Sequence, residues 1–141
     1  MSAPPRQALC EPGCELSGQE WTAFAGGAGT VAGARSWTAG FLGRLPDTDQ
    51  VAAGDIVLVV CELVTNAVRH APGPCWLYLA AVPEGMRVEV HDSSACEPRP
   101  RPGDLKGGGG HGWHLVAALS LAADTRPCRH GKAVSAVLPF P

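Results

Sequence analysis

No excess of one charge marks this chain: 11 Lys and Arg stand against 13 Asp and Glu, a formal net charge of −2. A footprint for non-specific nucleic-acid binding is therefore lacking, and direct nucleic-acid binding is not expected. The cluster Arg126, Arg129, His130 and Lys132 is expected to be a solvated hairpin. No apolar run is read as long enough to span a membrane, so no membrane partner is expected. The start, Met1 to Arg6, lacks the charged-then-apolar pattern of a signal peptide, which leads to the expectation of a cytoplasmic protein. No internal repeat is present. Zinc-ribbon spacing is also missing: of the six cysteines only Cys10 and Cys14 are close, with no second pair to complete a site. Cys61 and Cys75 sit in apolar runs, where a reduced thiol serves as a small hydrophobe.

What remains is enough for one compact domain, since 141 residues with 45% hydrophobic content can bury a core. Residues 1–20, rich in Pro and Gly, are predicted to be a loose tail before a domain over 21–141. Trp21 to Phe24 reads as a short first strand. A helix follows with Thr30 as its N-cap, placing Val31, Ala34, Trp37 and Phe41 near one face and Gly43 near its end. After Pro46, either Asp47 or Thr48 caps a long second helix that Pro72-Gly73-Pro74 terminates near Ala71.

Cys75 to Val82 and Met86 to His91 form a predicted hairpin around Pro83-Glu84-Gly85. A long Pro-, Arg- and Gly-rich loop runs from Ser93 to Gly110, and loops of that length in small domains tend to be functional. A third helix is predicted from Gly112 to Leu121. Arg126 to Arg129 and Lys132 to Leu138 close the chain as a last hairpin. The expected fold is α+β, a two-layer sandwich with a mixed sheet and its helices on one face.

Three features suggest chemistry. Glu62 and Asn66 lie four residues apart on the second helix, a turn of about 400°, and so share one face among apolar neighbours. Buried polar groups need partners. The Asn66 side-chain oxygen is a hard ligand suited to Mg²⁺, which completes its shell with water and phosphates. Glu62, one turn earlier, can take the proton of a hydroxyl that attacks a γ-phosphate. Asp92, closing a strand, can accept a hydrogen bond from the adenine 6-amino group, or can simply start the turn Asp92-Ser93-Ser94. The glycine run Gly107 to Gly110, with His111 and Gly112, lets backbone N–H groups approach phosphate at a helix N-terminus, with His111 as an added donor. A flexible linker is the plainer account of those glycines.

Taken in order, Glu62-Leu63-Val64-Thr65-Asn66-Ala67-Val68-Arg69-His70 resembles the N box of the GHKL nucleotide-binding superfamily. Asp92-Ser93-Ser94 is similar to its first glycine box, and Gly110-His111-Gly112-Trp113-His114-Leu115 to its second. The resemblance covers roughly residues 20–139. By size the chain looks most like the anti-sigma-factor serine/threonine kinases and their stand-alone actinobacterial relatives. The resemblance implies a Bergerat-type ATP-binding fold, with ATP and Mg²⁺ as cofactors. It implies Asn66 as the Mg²⁺ ligand, Glu62 as the base, and Asp92 as the reader of adenine. Gly110 and Gly112 would line the phosphates, with Arg69 or His70 also reaching them.

The implied activity is transfer of the γ-phosphoryl to a Ser or Thr of an anti-sigma-antagonist-type protein, together with sequestration of a sigma factor. Related regulators often dimerise, so a homodimer is among the expected assemblies. The competing reading is a non-catalytic nucleotide-binding module that regulates a partner by contact alone. Ser94 stands where the first glycine box has Gly, and Ala133 where relatives often carry an adenine-supporting Thr. Trp113 replaces a smaller aliphatic residue.

Overall fold

The computed structural model describes residues 19–71, 73–93, 109–128 and 131–141. Its elements are β1 (Glu20–Phe24), α1 (Thr30–Gly43), α2 (Gln50–His70), β2 (Cys75–Val82), β3 (Gly85–Asp92), α3 (Gly109–Leu119), β4 (Ala122–Cys128) and β5 (Gly131–Leu138). The expected elements are all present. Their ends differ where local chemistry overrides the pattern. Residue 30 is the first helical residue of α1, and Gly29, in the left-handed region at φ 86°, occupies the N-cap. The cap of α2 is Asp49, whose carboxylate accepts from the backbone N–H of Val51 (2.8 Å) and Ala52 (3.1 Å). Thr48 instead donates its hydroxyl to the Leu45 carbonyl at 3.0 Å, and Asp47 turns the chain at φ 52°. The third helix starts and ends earlier than its sequence pattern suggests, and β4 begins at Ala122 rather than Arg126.

The five strands form one sheet in the order β1-β2-β3-β5-β4, and every pairing is antiparallel. A mixed sheet is thus corrected to an antiparallel one. The hairpins β2–β3 and β4–β5 fix two pairings locally, and β5 inserts between β3 and β4, antiparallel to both.

Strand alternation divides the sheet into two faces. Leu77, Leu79, Val88, Val90, Val134 and Ala136 join the core with Ile56, Val60, Leu63 and Val64 of α2. Burying each such side chain contributes about 1.5–3 kcal/mol. α1 and α3 pack against α2, which lies centrally against β3. By length and composition α2 is apolar enough to cross a membrane, contrary to the sequence reading, but half of its apolar window is buried inside this fold. Helical periodicity supplies one apolar side for the sheet and another for the flanking helices.

The opposite face carries Tyr78, Glu89 and His91, each about 5% exposed or less. Glu89 holds Arg126 at 2.8 Å, with His91 at 3.4 Å and Arg87 at 3.7 Å. At the β1 edge, Arg44 after α1 pairs with Glu20.

Candidate functional site

α2 places Glu62 and Asn66 one turn apart on one side of the helix. Glu62 is half-buried, and Asn66 is 7% exposed, enclosed by the fold that buries Leu63, Val64 and Ala67. Arg69 and His70 occupy the last turn, exposed, where a basic side chain complements the negative end of the helix dipole. Only residues 71–74 separate this helix end from Cys75. The cross-strand register then places Cys75 beside Asp92, because Trp76 pairs with His91. The C-terminal end of α2 and the carboxylate-bearing end of β3 therefore lie at the same end of the sheet.

Asp92 is 5% exposed and pairs directly with Lys132 of β5, which is 2% exposed. The Lys132 Nζ lies 3.6 Å from Asp92 Oδ2. This overturns two expectations. Lys132 belongs to no solvated hairpin, because alternation puts it on the helix-facing side with Val134, Ala136 and Leu138. Nor is Arg126 solvated alone, since it is bound to Glu89. Ala133 points to the other face opposite His91, so the residue meeting Asp92 is Lys132. Gly131 permits this approach: a Cβ there would collide with the Asp92 carbonyl.

Beside the carboxylate, the Cys75 thiol is pushed up to about 11, first by burial and then by the charge of Asp92. It is a neutral wall of this corner.

The helix α3 begins at Gly109, so Gly110, His111 and Gly112 stand in its first turn rather than in a loop before it. The helix lies against α2. Trp113, partly buried, packs on the core cluster, and His114 is exposed. Ser94, most of the expected loop from Ser93 to Gly110, and Arg129 and His130 lie outside the described residues, as do Cys10, Cys14 and Cys96. Cys61 and Cys75 are buried free thiols, as expected. Among the described residues no group of three or more His, Cys, Asp or Glu could hold a metal ion by itself. An ion taking one protein ligand and completing its shell elsewhere fits Asn66 better than such a cluster would.

Lys132 is the buried neighbour of Asp92 that the sequence reading missed. Its signal was the two-residue step Lys132-Val134-Ala136-Leu138, which puts the lysine in phase with three core positions.

The profile of the histidine kinase-like ATPase domain matches residues 24–138, from the last residue of β1 to the end of β5. The chain belongs to this family. Membership makes it an ATP-binding type of domain, in keeping with the antiparallel sheet and its helical layer. Curated relatives of this ATPase-type domain include the Anti-sigma-F factor RsbW from two strains of Mycobacterium tuberculosis. Each is 32% identical over 81 residues, covering 57% of this chain and 46% of the relative. The match thus spans about half the length of those proteins.

Proposed function

We propose that this domain is an ATP-dependent regulator of the anti-sigma type, transferring the γ-phosphoryl of ATP to a Ser or Thr of an antagonist protein. The observation that carries the reading is the shared sheet end of Asn66 and Asp92, within a chain whose family profile runs from residue 24 to 138. The relatives named as anti-sigma-F factors supply the regulatory context.

In this reading Asp92 accepts from the adenine 6-amino group. Asn66 offers its side-chain oxygen to Mg²⁺, which would neutralise phosphate charge when bound. The first turn of α3 directs backbone N–H groups toward the phosphates. Glu62 takes the proton of the attacking hydroxyl as its oxygen bonds to the γ-phosphorus. The bond to the β–γ bridging oxygen breaks, and ADP leaves with those electrons. Positioning and charge neutralisation account for most of such catalysis, which a small domain can supply.

A second reading is a nucleotide-binding module that acts by contact alone. Ser94, standing where the first glycine box has Gly, favours it. The test is incubation with γ-labelled ATP, Mg²⁺ and candidate antagonist proteins. The kinase reading expects label on a partner Ser or Thr, abolished in Glu62→Ala and Asn66→Ala. ATP binding without any labelled partner, with regulation intact in Glu62→Ala, decides for the contact module.

A further inference from the structure

The side of the sheet turned away from the helices is closed at its centre. The three helices form one layer on the other side, and no described helix or strand packs on this one. In an antiparallel two-layer sandwich such a face ordinarily meets water. Yet Ala23, Tyr78, Ala80, Glu89, His91 and Ala133, which alternate onto it, are all between 2% and 7% exposed. The closure is lopsided. It takes in Ala23 of β1, although Trp21 at the sheet edge stays 42% exposed, and it is fullest over β2 and β3. It thins over β5, where Ser135 and Val137 are half-buried, and ends before β4, whose Ala122 and Asp124 are exposed. Three buried polar atoms on this face also make no hydrogen bond: Trp76 Nε1, Tyr78 Oη and His91 Nε2. The His91 ring meets Tyr78 edge-on at 5.1 Å, and its Nε2 stands 3.4 Å from Glu89 Oε1 without the geometry of a hydrogen bond. Buried donors left without acceptors are costly, so this face is built to receive acceptors.

We propose that the face is the docking surface for residues 1–18 of this same chain. Residues 94–108 are tied at Ser93 to the end of β3 and at Gly109 to the helical layer, and residues 129–130 only join two paired strands. Residues 1–18 are joined to the described fold at one end, and that end, Gln19, adjoins the β1 edge. Reach is ample, since about five extended residues at roughly 3.3 Å each cross the roughly 14 Å from β1 to β5. The chemistry matches as well. Pro4, Pro5 and Pro12 carry carbonyls without a competing N–H, Glu11 and Glu15 add carboxylate acceptors, and Leu9 and Leu16 bring apolar surface. This docking does not depend on the nucleotide reading.

Cys10 and Cys14 lie in that segment, which makes cross-linking a direct test. Ser135→Cys places a thiol on the covered face, and Ala39→Cys places one on the exposed side of α1 as a control. Each full-length protein is treated at low concentration with a short bismaleimide, and the joined peptides are read by mass spectrometry. Docking gives links within one molecule from Cys10 or Cys14 to the Ser135→Cys thiol, about tenfold or more in excess of those to the Ala39→Cys thiol. In a second measurement, removal of residues 1–18 raises the rate at which diethyl pyrocarbonate modifies His91 by about tenfold or more, with exposed His114 as the internal reference. Circular dichroism monitors the fold, and if the shortened chain does not fold the cross-links decide alone. Equal linkage in the two variants overturns the proposal, as does protection of His91 that survives the truncation in a folded chain. Links found only between two molecules overturn it too, and assign the face to a second copy.

Discussion

Arg126 of β4 reaches across the intervening β5 to the carboxylate of Glu89 on β3, with Nη2 to Oε1 at 2.8 Å. On that face β5 presents Ala133 opposite Arg126 and Ser135 opposite Glu89, and small residues there leave the guanidinium a path. Glu89 is 7% exposed at its side chain and Arg126 33%, so solvent screens the pair from one side only. Arg126→Met is expected to cost about 1–2 kcal/mol in urea unfolding, since Arg87 and His91 still face the carboxylate. Ala133→Leu, which fills the path, should cost a comparable amount, and combining the two should cost less than their sum.

The same register separates Ala133 from the corner that holds Asp92. Ala133→Thr is expected to leave ATP affinity within about twofold of wild type, because its hydroxyl would lie on the face away from Asp92. A titration showing much tighter ATP binding in this variant would contradict the assignment of position 133 to that face.

The Asp49 cap closes the N-terminus of the helix that carries Glu62 and Asn66. Asp49→Ala removes the acceptor for two backbone N–H groups and is expected to lower stability by about 1 kcal/mol. Asp49→Ser should recover most of the loss. Chemical denaturation of the three proteins measures both effects.

Burial and the neighbouring Asp92 charge lift the Cys75 thiol from its ordinary 9.0 to about 11. The folded chain therefore holds this proton more tightly than the unfolded chain does. Its contribution to stability is complete below pH 9 and is lost as the pH climbs toward 11. Tyr78 is raised in the same sense, first by burial and then by Glu89, so the loss continues at still higher pH. Melting temperatures measured from pH 8 upward should fall across this window, and less steeply in Cys75→Ala. In native protein at pH 8, iodoacetamide should modify the half-buried Cys128 well before Cys75, as peptide mass mapping would record.

The helix and strand periods made most of the fold legible. Apolar residues at helical spacing around Glu62 and Asn66 announced a buried polar pair on α2; Asn66 is indeed 7% exposed, whereas Glu62 is only half-buried. The alternation from Met86 to His91 announced β3. Helix ends were harder, because Asp47, Thr48 and Asp49 all suit a cap and only the turn geometry selects among them. Asp47 is committed to a positive φ and Thr48 to a carbonyl behind it, which leaves Asp49. At the site, Asp92 was legible as a residue ending a strand, whereas its partner was not. A lysine two residues after a turn resembles a solvated hairpin tip, and only the pairing of β5 with β3 gives that strand its phase.

Glycines bracket the ladder between β3 and β5. A side chain at Gly131 would strike the Asp92 carbonyl, and one at Gly85, where φ is 155°, would strike that of Leu138. Sliding one strand along the other by two residues would preserve the faces but bring non-glycine residues under those carbonyls. The ladder is thereby indexed at both ends, and position 132 can exchange one side chain for another without surrendering its place opposite Asp92. A change of side chain at position 132 is thus a local event on a frame that does not shift to accommodate it.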